Sequence, residues 1–214
     1  MRKPTWSGIL KFTNNKFDDM SPEEQEKAVR DCAQQIHLHW LEFAWKRLCP
    51  PLYLNTNPEQ LPKLPQFKEV QEWKYGPMGL LLVGPTRRGK TRSAWKLLER
   101  LHFQERLQIT AFNPMDLKLA VAKEWRDPEE ARWWVRRLRE VDVLFFDDLD
   151  TVKPTEAMEE TIYDLFESRP THEKPIIATV NRTGWELAAR MNACGRGAKI
   201  VERMREYCHV INFT

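Results

Sequence analysis

No apolar run in the chain approaches the roughly 18–20 residues needed to cross a bilayer, so no membrane partner is expected. The amino terminus, MRKPTWSGIL, is basic but lacks the apolar stretch of a signal peptide; the chain therefore reads as cytoplasmic. Cysteine is sparse, and Cys32, Cys49, Cys194 and Cys208 fall at wide, irregular intervals. There is no C-x-x-C pair and no histidine at zinc-finger spacing, which argues against a metal cluster and for reduced, packed thiols. Internal repeats and low-complexity tracts are also missing. Net charge is small, 34 basic against 31 acidic residues, so indiscriminate coating of nucleic acid is excluded while a local basic patch is not.

What is present is an ordinary globular composition, 42% hydrophobic and 30% charged over 214 residues, enough for one α/β domain with a modest extension. The charge is unevenly spread. Leu80–Glu140 holds 14 Lys/Arg against 8 Asp/Glu, whereas Val141–Asn181 holds 3 against 10.

Three regions follow from the pattern. Residues 1–49 form a helical extension, in which 1–19 show no clear period. Ser21-Pro22-Glu23-Glu24 is a helix start with a capping box. Behind it Val29, Ala33, Ile36, Trp40, Phe43 and Ala44 make one apolar stripe over about 25 residues. That stripe suits either packing within the chain or docking of a partner. Pro50-Pro51 ends the helix. Residues 50–77, with six prolines, read as an extended linker pinned by Leu52, Tyr53, Leu54 and Trp73. From 78 to 214 short apolar runs alternate with amphipathic helices. Leu80–Val83, Leu107–Phe112, Val141–Phe146, Ile176–Val180 and His209–Phe213 are the strand candidates. Helix starts are expected at Asp127-Pro128-Glu129-Glu130, Lys153-Pro154 and the capping box Thr183-Gly184-Trp185-Glu186. The alternation predicts a parallel five-stranded sheet with helices on both faces.

Gly84-Pro85-Thr86-Arg87-Arg88-Gly89-Lys90-Thr91 fits G-x-x-x-x-G-K-[ST] in full. It stands between an apolar strand and a helical segment, Arg92–Phe103, as the chemistry requires. Glycines let the backbone wrap a phosphate, and the following helix presents its positive end. Lys90 is expected to reach the β- and γ-phosphates of ATP, and the Thr91 hydroxyl to ligate Mg²⁺. Arg87 and Arg88 either add charge to that site or point to solvent, and solvent is the favoured reading. Val141–Phe146 then runs into Asp147-Asp148, on the rim where open α/β sheets bind ligands. Asp147 is assigned to Mg²⁺, directly or through water, and Asp148 to polarising the attacking water.

With these two motifs in this order, residues 75–214 resemble the AAA+ P-loop ATPases, specifically the DnaC/IstB-type helicase loaders and transposition helpers. The resemblance implies further assignments. Asn181, at the end of Pro175–Val180, is similar to the family's sensor 1 and would contact the γ-phosphate or its water. Ile200-Val201-Glu202-Arg203-Met204-Arg205 resembles the arginine-bearing helix. Arg203 is thereby a finger acting in trans within a homo-oligomer, against the plainer reading of a surface arginine paired with Glu202 or Glu206. The family's helical lid is reduced or absent, since the sequence stops at Thr214. The implied activity is Mg²⁺-dependent ATP hydrolysis in loading a replicative helicase onto single-stranded DNA. The alternatives are a transposition helper on duplex DNA, with a transposase partner, and an ATP-gated protein-interaction module without DNA. A metabolic kinase of this fold is disfavoured, because no segment is left for its lid. Arg132, Arg136 and Arg139, beside Trp133-Trp134, share one helical face that suits either a nucleic-acid backbone or solvent.

Overall fold

The computed structural model describes residues 20–57, 61, 65–123 and 127–213. The unperiodic arm 1–19 lies outside them. Contacts divide the chain into two units, one ending at Ala44 and the other running from Trp45 to the end.

Helix α1, Pro22–Leu48, opens with the expected capping box. The Ser21 N–H donates to Glu24 Oε2 at 2.9 Å and the Glu24 N–H to Ser21 Oγ at 3.4 Å, which satisfies two otherwise orphaned donors. Along the first unit most of the apolar stripe is exposed, with Val29 56%, Trp40 54% and Phe43 47% accessible and Ile36 half-buried. Trp40 and Phe43 meet edge to face at 5.8 Å.

The second unit is built on one parallel sheet in the order β2-β3-β4-β1-β5. Its strands are β1 Gly79–Val83, β2 Ile109–Phe112, β3 Val143–Phe146, β4 Ile176–Val180 and β5 Cys208–Asn212. The register pairs Leu82 with Thr179 and Ile211, and Phe146 with Ala178. Every residue of β1, β3 and β4 is buried, as expected for strands covered on both faces. β2 and β3 begin two residues later than the apolar runs suggest. The Val141 N–H caps the preceding helix through Arg137 O, and Asp142 spends its carboxylate on the Gln108 N–H. Leu107 closes the helix before β2 through its bond to Leu101 O.

One face is covered by α5 Pro114–Lys123, α6 Pro128–Glu140, α7 Glu156–Ser168, α8 Gly184–Met191 and α9 Gly197–Tyr207, with Leu81, Leu144, Phe146, Phe166 and Met204 among its core. The other carries α4, Lys90–Gln104, with Leu97, Leu98 and Leu101 against Leu80, Leu82 and Phe145. A single helix does not cover a five-stranded face. The remainder is supplied by Trp45, Cys49, Val70 and Trp73. The described residues of 50–77 are not extended throughout: they carry the short helices α2 Pro51–Leu54 and α3 Pro65–Glu72. Of the expected pins Trp73 is buried, Tyr53 and Leu54 half-buried, and Leu52 is 64% exposed.

Two helix starts differ from expectation. α7 begins at Glu156 rather than at Pro154, because the Thr155 hydroxyl accepts the Met158 N–H and supplies the cap. Thr183 precedes α8 without a side-chain cap bond, so the predicted box there does not form. Asp127 does cap α6, accepting from the N–H groups of Glu129 and Glu130. Among the described residues no helix is long and apolar enough to cross a membrane.

Candidate functional site

The strand order decides which loops meet. β1 feeds the glycine loop, β3 feeds the acid pair, and β4 lies between them. Asn181, the residue after β4, therefore stands between Lys90 and Asp148, although the three are far apart in the chain.

Loop 84–89 turns on two glycines with positive φ, 144° at Gly84 and 89° at Gly89. A Cβ on Gly84 would lie 2.0 Å from Phe213 O. That strand-to-strand approach, locked by the Phe213 N–H to Val83 O bond of 2.7 Å, admits no side chain. Pro85, Thr86, Arg87 and Arg88 are exposed. Arg87 itself holds φ 65°, an uncommon conformation for a residue with a side chain.

Lys90 is almost fully buried at the start of α4. Its ammonium donates to Gly84 O at 2.7 Å, Pro85 O at 2.8 Å and Asn181 Oδ1 at 3.0 Å, so all three protons are used. Burial pulls its pKa below the usual lysine value, against the opposing pull of Asp148, Asp150 and Asp147.

Next to it, the Thr91 hydroxyl donates to Asp147 Oδ1 at 2.8 Å, and the Thr179 hydroxyl donates to the same oxygen at 2.9 Å. Burial pushes the Asp147 carboxyl above its usual range; the two hydroxyls and the Asp148 N–H pull it back, while the Asp148 charge pushes it up again. Thr179 also accepts the Asp148 N–H at 2.7 Å. Asp148 adopts φ 51°, a strained conformation for a non-glycine residue that costs on the order of 1 kcal/mol and clusters at functional sites. The turn is held by the Leu149 N–H to Thr179 O bond and the Thr151 N–H to Asp148 O bond.

Asp150 is fully buried. Its Oδ1 accepts the Asn181 N–H at 2.9 Å and Asn181 Nδ2 at 3.3 Å, and its Oδ2 accepts from Arg182 at 3.0 Å. Asn181 Nδ2 also lies 3.4 Å from Asp148 Oδ1.

Lys90, Thr91, Asp147, Asp148 and Asn181, all named from the sequence, are thus one cluster. Thr179, Asp150 and Arg182 were not. Thr179 left one trace, a hydroxyl inside the otherwise apolar run Ile176–Val180, and Asp150 another, a third acid two residues beyond the pair. Arg203, on α9, bonds instead to Glu167 at 2.5 Å and Glu206 at 2.6 Å, and lies over the Tyr207 ring.

Among the described residues no group of three or more His, Cys, Asp or Glu side chains is arranged to hold a metal by itself. The Thr91 hydroxyl and Asp147 carboxylate converge as hard oxygen donors, a set that suits Mg²⁺ shared with phosphate oxygens and water rather than a closed protein cage. The donors fit that ion.

No protein-family model matches the chain, and no curated protein sequence matches it. Solved structures do. The DnaC helicase loader is similar with TM-score 0.59 at 20% identity, over 80% of this chain and 99% of that one. DnaI is similar with TM-score 0.59 at 18% identity, over 78% and 95%. The replication initiator DnaA bound to AMPPCP and single-stranded DNA is similar with TM-score 0.56 at 14% identity, over 77% of this chain and half of that one. With its parallel sheet, its glycine loop after β1 and these neighbours, the chain has the fold of the AAA+ P-loop ATPases, as helicase loaders and replication initiators do.

Proposed function

We propose that the chain binds and hydrolyses ATP with Mg²⁺ and acts, as an oligomer, to load a replicative helicase onto single-stranded DNA. The observation that carries this reading is the Lys90–Asn181–Asp148 chain of contacts beside the Thr91–Asp147 pair. Nucleotide phosphates would take over the Lys90 protons now given to the loop carbonyls and to Asn181. Thr91 and Asp147 would hold Mg²⁺, which supplies charge neutralisation for the phosphoryl oxygens. Asp148 would accept a proton from, or orient, a water, and Asn181 would donate to that water or to the γ-phosphate.

The DNA part rests on α6. Arg132, Arg136 and Arg139 border a groove of about 740 Å³ that also meets His172 and Lys174. Arg139 is paired with Asp164 and Lys174 with Asp142, while Arg132 and Arg136 are exposed. Arg137 lies over the exposed Trp133 ring at 5.7 Å, which leaves an indole at the surface for a base to stack on.

The test is fluorescence anisotropy of labelled single-stranded and duplex DNA of equal length, with a non-hydrolysable ATP analogue, for the wild type and Lys90→Ala. The expected result is single-strand preference that weakens with salt and loses its dependence on nucleotide in Lys90→Ala. Duplex preference would move the assignment to a transposition helper with a transposase partner. Binding to neither at low salt would leave an ATP-gated protein switch.

A further inference from the structure

Asn181 has two hydrogen-bonding ends of nearly equal size, and only its surroundings decide which faces the nucleotide side. Besides Asp148 Oδ1, which lies at 3.4 Å from Nδ2, two groups hold the amide. The Lys90 ammonium, a pure donor, selects Oδ1; the Asp150 carboxylate, a pure acceptor when ionised, selects Nδ2. Asp150 also holds the Asn181 backbone through its N–H. Only one of these restraints survives the reading given above, on which this inference rests. Once Lys90 turns to phosphate, its grip on Oδ1 is released, and Asp150 is what keeps the amide from rotating.

We infer that Asp150 is a positioning residue for nucleotide hydrolysis: it fixes the rotamer of Asn181, and Arg182 holds Asp150 in place. The burial of Asp150 supports this. A carboxylate with no exposed surface is costly unless it is paired and bonded, and this one has a hydrogen-bonded arginine at 3.0 Å on one oxygen and Asn181 on the other. Its backbone is pinned as well, the Asp150 carbonyl accepting from Arg182 at 3.2 Å and from Arg190 Nε at 3.0 Å, with Arg190 also reaching Thr151 O. All these contacts converge on the turn after β3 and the residue after β4. They leave a single amide orientation, with Nδ2 towards Asp148.

A displaced catalytic group can cost on the order of 10²-fold in rate even when the chemistry is otherwise intact. The test is a double-mutant cycle on Asp150→Asn, Asn181→Ala and the pair, reading kcat, KM and the ratio of ATP to ADP affinity by competition with a fluorescent nucleotide. Asp150→Asn is expected to lower kcat about tenfold or more with KM little changed, and to reduce the preference for ATP over ADP. In the Asn181→Ala background the same substitution should cost nothing further. Arg182→Gln, at a side chain 42% exposed and so less demanding on folding, should give a smaller loss that also vanishes in that background.

Unchanged kcat and affinity ratio in a folded Asp150→Asn protein would overturn the inference. So would full additivity with Asn181→Ala, which would mean that Asp150 supports the fold and does not act through Asn181. If the wild type binds ATP without turnover, the affinity ratio alone decides. A wild type that binds no nucleotide would instead overturn the function proposed above, and this inference with it.

Discussion

Glu159 sits in α7 with no exposed surface, and its carboxylate accepts the backbone N–H groups of Ala193, Cys194 and Arg196. It ties α7 to the loop before α9. Burial alone would push its pKa up, but the bonds from Cys194, Ala193 and Arg196 outweigh that and leave it below the usual glutamate value. The unfolded chain therefore binds more protons than the native one between the two pKa values. Stability from Glu159 is fully present above about pH 4.5 and is lost as pH falls through the lower, native value. Glu159→Gln keeps the volume but sets an NH₂ against a backbone donor. A loss of about 1–3 kcal/mol is expected at neutral pH, shrinking towards zero as pH falls through the native value, as read from urea unfolding at each pH. Arg169 is a second buried charge. It donates to the carbonyls of Leu138, Arg139, Asp142 and Pro175, and burial pulls its pKa down to about 10, so it remains a cation at neutral pH. Neither role is legible in the sequence, where both residues pass for surface charges on a helix and its end. Lys90 and Thr91 were legible from the spacing of the glycine-loop motif, and Asp147 from its place at the end of an apolar strand. Asp150 and Asn181 converge only through the strand order, which no local pattern records.

At the scale of elements, alternation and caps located the sheet and most helices, and failed where tertiary packing overrode composition. Six prolines in residues 50–77 suggested an extended path, yet proline at the first position of a helix is favourable, and α2 and α3 both begin on one. The need they answer is the face beneath α4. There Trp45 meets Trp95 at 5.8 Å, stacks on His102 at 5.5 Å and touches Phe103, while Tyr53 stacks on Trp95 at 6.0 Å. Trp95 in turn meets Phe145 of β3 edge to face. An aromatic column thus runs from the end of α1 into the sheet. Truncating it at its outer member should create a cavity over α4: Trp45→Ala is expected to cost about 3–5 kcal/mol. Chemical denaturation would show this as a lower midpoint at unchanged slope. A loss below about 1 kcal/mol, the range of surface substitutions, would mean that Trp45 only decorates the face beneath α4.

At the scale of the whole molecule, the role proposed for Arg203 in trans has to be reconciled with the partners it holds in its own chain. Its guanidinium is engaged by Glu167 and Glu206 at a half-exposed position, and such pairs contribute little in water. An arginine that reaches a transferring phosphoryl group contributes about 10³–10⁵ in turnover. On those magnitudes a neighbouring subunit's nucleotide can draw Arg203 away from its two glutamates, so the observed pairing is compatible with a role in trans. Mixing separates the possibilities. Lys90→Ala subunits keep the arginine but lose the phosphate contact; Arg203→Ala subunits keep the phosphate contact but lose the arginine. Each alone should hydrolyse ATP poorly at assembling concentrations. Mixed in equal amounts they should recover activity, because interfaces then form in which an intact loop faces an intact Arg203. Full activity of Arg203→Ala alone would reduce the residue to the surface pair with Glu167 and Glu206. Inactivity of both, with no recovery on mixing, would place its action within one chain and remove the shared-site mechanism.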